Sequence, residues 1–245
     1  MKRKWLILGL GAGLLGGAIV ASALRERRLP EEKDWQAYLS KKWDDSAKAA
    51  FLMARVQTRF VRLYAERPRF AEDHLRDHLE EHILPGLALY QVLLEDGMEK
   101  DAALELCAEM IALHAREVNR VVQKIGGQPF FFFLLRKIIR SMMDYKFSTG
   151  WTTTWIEDSP QRVAFDITRC FYLDTLRFYG APELTPAFCA SDDAMMEGIS
   201  PQVAWKRTTT LGRGDERCNF CYERVAPETA PCLNAEAGEP APQEA

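Results

Sequence analysis

The chain has 245 residues, 47% hydrophobic and 27% charged, with 32 Lys and Arg against 35 Asp and Glu for a net charge of −3. Such a composition is globular and excludes a disordered, collagen-like or disulfide-dense class. The charge is uneven: residues 1–28 hold six basic side chains and one acidic, the remainder is clearly acidic, and nucleic acid is not expected as a partner.

Between Lys4 and Arg25 run twenty uncharged residues, Trp5 to Leu24. As a helix they would be about 30 Å long, the thickness of a bilayer's hydrocarbon core, and they predict a single-pass transmembrane helix. The rival is a cleaved signal peptide, with Ala21-Ser22-Ala23 as its site, but the apolar run exceeds the ~7–15 residues of a usual signal core. Gly11-x-Gly13-x-x-Gly16 matches a dinucleotide fingerprint by pattern alone, yet no second buried strand follows. Gly9, Gly13 and Gly17 recur every fourth residue, a face on which two membrane helices would pack into a homo-oligomer. More Lys and Arg follow the segment than precede it, which leaves the body in the cytoplasm. Six scattered cysteines, read as thiols, agree with a reducing compartment.

In the body, apolar side chains from Trp35 and Leu39 through Ala47, Ala50, Phe51 and Ala54 to Val61 predict one amphipathic helix over 35–66, ended by Pro68. A second helix is expected over 70–95, kinked at Pro85-Gly86, and a third over 100–125, closed by Gly126-Gly127. A fourth starts after Pro129 with the run Phe130 to Leu135; being apolar all round, it reads as a central buried helix, or else as a surface leaning on a membrane. After Gly150 the texture changes to β-branched and aromatic runs at 151–156 and 163–168 around Asp158-Ser159-Pro160, a hairpin. A helix over 170–179, a short one over 186–196 and strands over 203–211 and 218–225 complete the body. The fold class expected is α+β, a helical half packed on a small, mostly antiparallel four-stranded sheet. It occupies 29–225, between the anchor at 1–28 and a disordered acidic tail at 226–245.

Three places invite chemistry. His74, His78 and His82 lie every fourth residue, and His78-Leu79-Glu80-Glu81-His82 matches a metallopeptidase pattern; the ~12 Å from first to last forbids a common ion, so they read as a structural row on a solvated edge. Cys218 and Cys221 sit three apart on a strand, hence on opposite faces, and do not make a zinc site. The third is Cys170, Cys189, Asp192 and Cys218 with Arg207. Cys170 falls where a strand gives way to a helix, where amide N–H groups lower a thiol pKa; Asp192, three residues after Cys189, is the nearest base, because all four histidines lie in the helical half; Arg207, on a strand face with Trp205 and Thr209, offers a bidentate fork to a substrate carboxylate.

Ile83-Leu84-Pro85-Gly86-Leu87-Ala88-Leu89-Tyr90, the stretch from Arg169-Cys170-Phe171-Tyr172 through Gly180-Ala181-Pro182 to Cys189 and Asp192, and Trp205-Lys206-Arg207 with Cys218-Asn219-Phe220 resemble the L-2-amino-thiazoline-4-carboxylic acid hydrolase family. The resemblance implies hydrolytic ring opening of a cyclic amidine carboxylate to a carbamoyl-cysteine, with no cofactor required, and it departs from the family pattern at Asn219, where an aspartate is expected. It implies Cys170 or Cys189 as nucleophile or pocket thiol, Asp192 as base, Arg207 as carboxylate clamp and Cys218 as a pocket residue. A reading from another class uses the same cysteines in a non-catalytic module that binds a metal or a small ligand beside the membrane.

Overall fold

A computed structural model describes residues 27–225. The expected membrane segment with Gly9, Gly13 and Gly17, and the expected tail over 226–245, lie outside the described residues. Among the described residues no helix is long and apolar enough to cross a membrane.

The chain begins with α1 (Glu32–Trp43) and α2 (Ser46–Glu66), where the sequence suggested one continuous helix. Asp44 takes a left-handed conformation at φ 52°, and the Asp45 carboxylate accepts the Lys48 N–H at 2.8 Å, so one helix is stopped and the next capped within two residues. The break resets the helical phase. Ala49, Leu52, Met53, Val56, Phe60 and Leu63 therefore face the core, while Phe51, extrapolated to the inner face, is exposed. Burying a side chain such as Phe60 or Leu52 contributes about 1.5–3 kcal/mol.

Next come α3 (Asp73–Asp77), a π-helical turn over His78–Ile83 and α4 (Leu84–Glu95). The kink expected at Pro85 is a change of winding immediately before it: the Leu84 N–H bonds to the Leu79 carbonyl, one residue further back than in an α-helix. That wider turn absorbs a proline that supplies no N–H. The long α5 (Lys100–Gly126) follows as expected. Gly126 is required there, because a Cβ would lie 2.3 Å from the Ile199 carbonyl oxygen. In α6 (Phe131–Tyr145) the phenylalanine run is divided. Phe131, Phe132, Leu135 and Ile139 are buried, while Phe130 and Phe133 expose more than half their surface, so α6 flanks the core and is not its central helix.

The carboxy-terminal half holds β1 (Thr152–Asp158), β2 (Arg162–Arg169), α7 (Phe171–Phe178), α8 (Thr185–Met196), β3 (Val203–Lys206) and β4 (Cys218–Arg224). The sheet has the order β1-β2-β4-β3 with every neighbouring pair antiparallel. Strand β3 ends at Lys206, short of the expected Leu211, so Arg207 to Thr210 form an extended loop. The two halves are joined chiefly by α5 and α8: the buried Asn119 amide donates to the carbonyls of Met195 and Glu197 at 2.6 and 2.9 Å, tying off the end of α8. The fold is α+β, with the helical layer against the inner face of the sheet.

Candidate active site

Between these layers lies a cavity of ≈ 310 Å³. The helical side supplies His78, His82, His114 and Ile139; β2 and β4 supply Phe165, Ile167, Cys218, Phe220 and Tyr222; α7 and α8 supply Tyr172, Phe188, Cys189 and Asp192. All five residues singled out in the sequence, Cys170, Cys189, Asp192, Arg207 and Cys218, line this one space.

Each position follows from local structure. Cys170 is the N-cap of α7, its sulfur facing the free N–H groups of Tyr172 and Leu173. Cys189 and Asp192 are three apart on α8 and so share a face. Strand alternation turns Cys218, Phe220 and Tyr222 inward and Asn219 and Cys221 away, as the odd spacing of the two cysteines required. Gly212 closes over α8, where a Cβ would stand 3.0 Å from the Cys189 sulfur. The Leu211 N–H donates to the Cys218 sulfur at 3.2 Å.

The electrostatics depart from the sequence reading in two respects. Cys170 does not carry a depressed pKa: burial pushes it up to about 11, against the lowering effect of the Leu173 and Tyr172 N–H groups. Burial, with the Asp192 charge second, pushes Cys189 up to about 12, and burial also raises Cys218. The five cysteines among the described residues are free thiols, and these three are protonated at neutral pH. Arg207, in turn, is not a free fork on a strand. Its guanidinium, 2% exposed, donates to Asp192 Oδ2, Asp193 Oδ2 and the Cys189 carbonyl, each at 2.7 Å. It lies 5.3 Å from the centre of the Phe220 ring. Half of the Asp192 side chain remains accessible, and desolvation raises its pKa while Arg207 opposes the rise.

Sequence reasoning placed the histidines on a solvated edge, which holds for the exposed His82 and the half-buried His74 and is corrected for His78. His74 does sit outside the cavity, its Nε2 3.3 Å from the Thr149 carbonyl. His78 is 9% exposed, packed against Trp151, Phe147 and Tyr172, and its Nδ1 lies 2.9 Å from the Tyr172 hydroxyl. Its Nε2 is buried without a hydrogen-bond partner. Burial first, and the neighbouring His82 second, lower the His78 pKa to about 4; burial also lowers His82. Both rings are neutral at pH 7. Tyr172 links the two ends of the cavity: burial, then Asp192 and Cys170, raise its pKa. The signal that could have revealed these residues is that His78 and His82 adjoin the apolar stripe of Leu75, Leu79 and Ile83, which places their rings beside the core.

Asn219, where the resemblance led to the expectation of an aspartate, does not face the cavity. Its Oδ1 accepts the N–H groups of Thr208 and Thr209 at 2.9 and 2.8 Å and its Nδ2 donates to the Thr208 hydroxyl at 2.8 Å, fixing the loop that carries Arg207. An aspartate could accept the same two backbone bonds. For a metal, no group of three or more His, Cys, Asp or Glu side chains among the described residues is arranged to hold one.

The family model described as L-2-amino-thiazoline-4-carboxylic acid hydrolase matches residues 76–222, which begins just before the π-helical turn and contains the candidate residues from His78 to Cys218. No curated protein and no solved structure matches the chain.

Proposed function

Because the chain belongs to the L-2-amino-thiazoline-4-carboxylic acid hydrolase family, we propose that it opens a cyclic amidine carboxylate such as 2-amino-thiazoline-4-carboxylate by hydrolysis. The observation that carries this reading is the convergence of Cys170, Cys189, Asp192, Arg207 and Cys218 on one mostly apolar cavity. An electrophilic carbon bound to two nitrogens and a sulfur needs a nucleophile, a group to move one proton and a site that limits water.

Cys170 is the nucleophile in this scheme, since two amide N–H groups face its sulfur and stabilise the thiolate as it forms. Asp192, held by Arg207, takes the thiol proton; a carboxylate with a raised pKa is the better base. The Cys170 sulfur bonds to the amidine carbon, the ring C–S bond breaks, and the proton passes from Asp192 to the released sulfur. Water then adds to the same carbon and the bond to Cys170 breaks, which restores the thiol and leaves a carbamoyl group on the cysteine nitrogen. One water is consumed in all. Cys189 and Cys218 remain neutral wall residues, and Arg207 positions Asp192.

The test is loss of 2-amino-thiazoline-4-carboxylate in the presence of the purified full chain. We expect turnover in the parent protein, none above background in Cys170→Ser, and a fall of about 10²–10⁴ in kcat in Asp192→Asn. No turnover by the parent protein overturns the activity. Unchanged turnover in Cys170→Ser overturns the covalent step alone. In the same reading Trp5–Leu24 is a single-pass anchor that holds the body at the cytoplasmic face of a membrane.

A further inference from the structure

An amidine carboxylate carries two opposite charges, and the cavity must meet both. Among the described residues, Arg207 is the only Lys or Arg that lines it. It does not present that charge to a ligand, because its guanidinium is 2% exposed and bound by two carboxylates, whereas half of the Asp192 side chain is accessible. The Asp192–Arg207–Asp193 group therefore sums to one negative charge, with a carboxylate on its accessible side. Asp192 Oδ2 is taken by Arg207, and Oδ1 has no hydrogen-bond partner among the described residues. Such a site suits a cationic amidinium and repels a carboxylate.

The ligand's carboxylate then needs donors elsewhere in the cavity. The Ser191 and Thr185 hydroxyls already donate to the carbonyls of Phe188 and Pro182, both at 2.7 Å. Elsewhere in the cavity, His78 Nε2 is buried and unpartnered, in a side chain 9% exposed, with the rings of His82 and His114 also in the lining; Glu31, the other lining carboxylate, accepts the Trp35 indole N–H at 3.1 Å, and burial raises its pKa toward the neutral form. We take the Tyr172 hydroxyl, 2.9 Å from Nδ1, as the donor, an assignment that puts the His78 proton on Nε2. The Lys146 backbone is the other hydrogen-bonding group at this ring, but it makes no well-formed bond to Nε2, so an N–H placed there makes a charge-assisted hydrogen bond when a carboxylate arrives.

We propose that the histidine end, centred on His78 Nε2 with His82 beside it, is the subsite for the substrate's carboxylate, and that Asp192 receives the amidinium. This rests on the ring-opening reading and reverses the orientation that a clamp at Arg207 would impose. His78 and His82 are specificity-determining residues in it, remote from the bond that breaks.

Two ligands separate the ideas: 2-amino-thiazoline-4-carboxylate, and 2-amino-thiazoline, which lacks the carboxylate. Dissociation constants for both are measured on the full chain and on His78→Phe, His78→Gln and His82→Phe. The parent protein should prefer the carboxylate-bearing ligand. His78→Phe should reduce that preference by about 10- to 100-fold, the worth of one hydrogen bond to a charged group, and leave binding of the decarboxylated ligand unchanged. His78→Gln, which keeps a donor, should recover part of the preference. His82→Phe, at a more accessible position, should weaken it in the same direction and serves if His78→Phe does not fold. Turnover in the parent protein with a preference unaltered in His78→Phe, or in His82→Phe where it stands in, overturns the subsite and leaves the hydrolase reading intact. Equal weakening of both ligands also overturns it. Failure of the parent protein to bind either ligand overturns both proposals.

Discussion

A cysteine at a helix N-terminus is commonly an activated one, and at Cys170 two amide N–H groups do face the sulfur. Burial in an apolar cavity outweighs them, and the thiol stays protonated until a base acts. The sequence could not decide this contest, since it shows the helix start but not the rings of Phe165, Phe188 and Phe220 that enclose the cavity. Cys170, Cys189, Asp192 and Cys218 were legible as a set through family resemblance, whereas His78 and His82 were not, because their wall is formed by segments such as Trp151 and Tyr172 that are distant in sequence. The burial of His78 has a consequence for stability. With a folded pKa near 4, below the ordinary 6.5, it binds a proton more weakly folded than unfolded, so its contribution is complete above about pH 6.5 and is lost as pH falls toward 4. The loss is about 3 kcal/mol. Urea unfolding from pH 7 to pH 4 should show that fall in the parent protein and a shallower one in His78→Phe.

Element boundaries were legible wherever a local signal fixed them. Gly126-Gly127 ends α5, and Asp158-Ser159-Pro160 turns the β1–β2 hairpin, with the Ser159 N–H bonded to the Arg162 carbonyl at 2.8 Å. The break at Asp44-Asp45 also has a local signal, an aspartate ready to cap, but the apolar spacing on either side concealed it by fitting one helix nearly as well. The cap is therefore what sets the phase of α2. Asp45→Ala should cost about 1 kcal/mol, read as a melting temperature lower by about 2–4 °C. The π-helical turn at His78–Ile83 was not legible at all. Pro85 announced an irregularity but not its form, a wide turn before the proline on which the His78 ring packs among Phe147, Trp151 and Tyr172.

At the scale of the molecule, the change of texture after Gly150 gave the order of helices then strands, and with it the α+β class. The role of the phenylalanine run could not be read in the same way, since six apolar residues in a row carry no phase; the buried face of α6 is chosen by what it packs on. Residues 5–24 make a prediction of their own. If they anchor the body, the full chain should stay with the membrane fraction after alkaline carbonate washing, and a form starting at residue 27 should be released.

The walls of the cavity come from Glu31, at the start of α1, at one extreme and from Tyr222, on the last strand, at the other. Contacts so far apart along the chain form late, after most of the loop-closure entropy has been met, so refolding should be slow for a protein of this size. No fragment of the polypeptide holds the ligand's surroundings by itself. A compound that fills the cavity thus clasps both layers at once, and its affinity should appear as a slower rate of global unfolding.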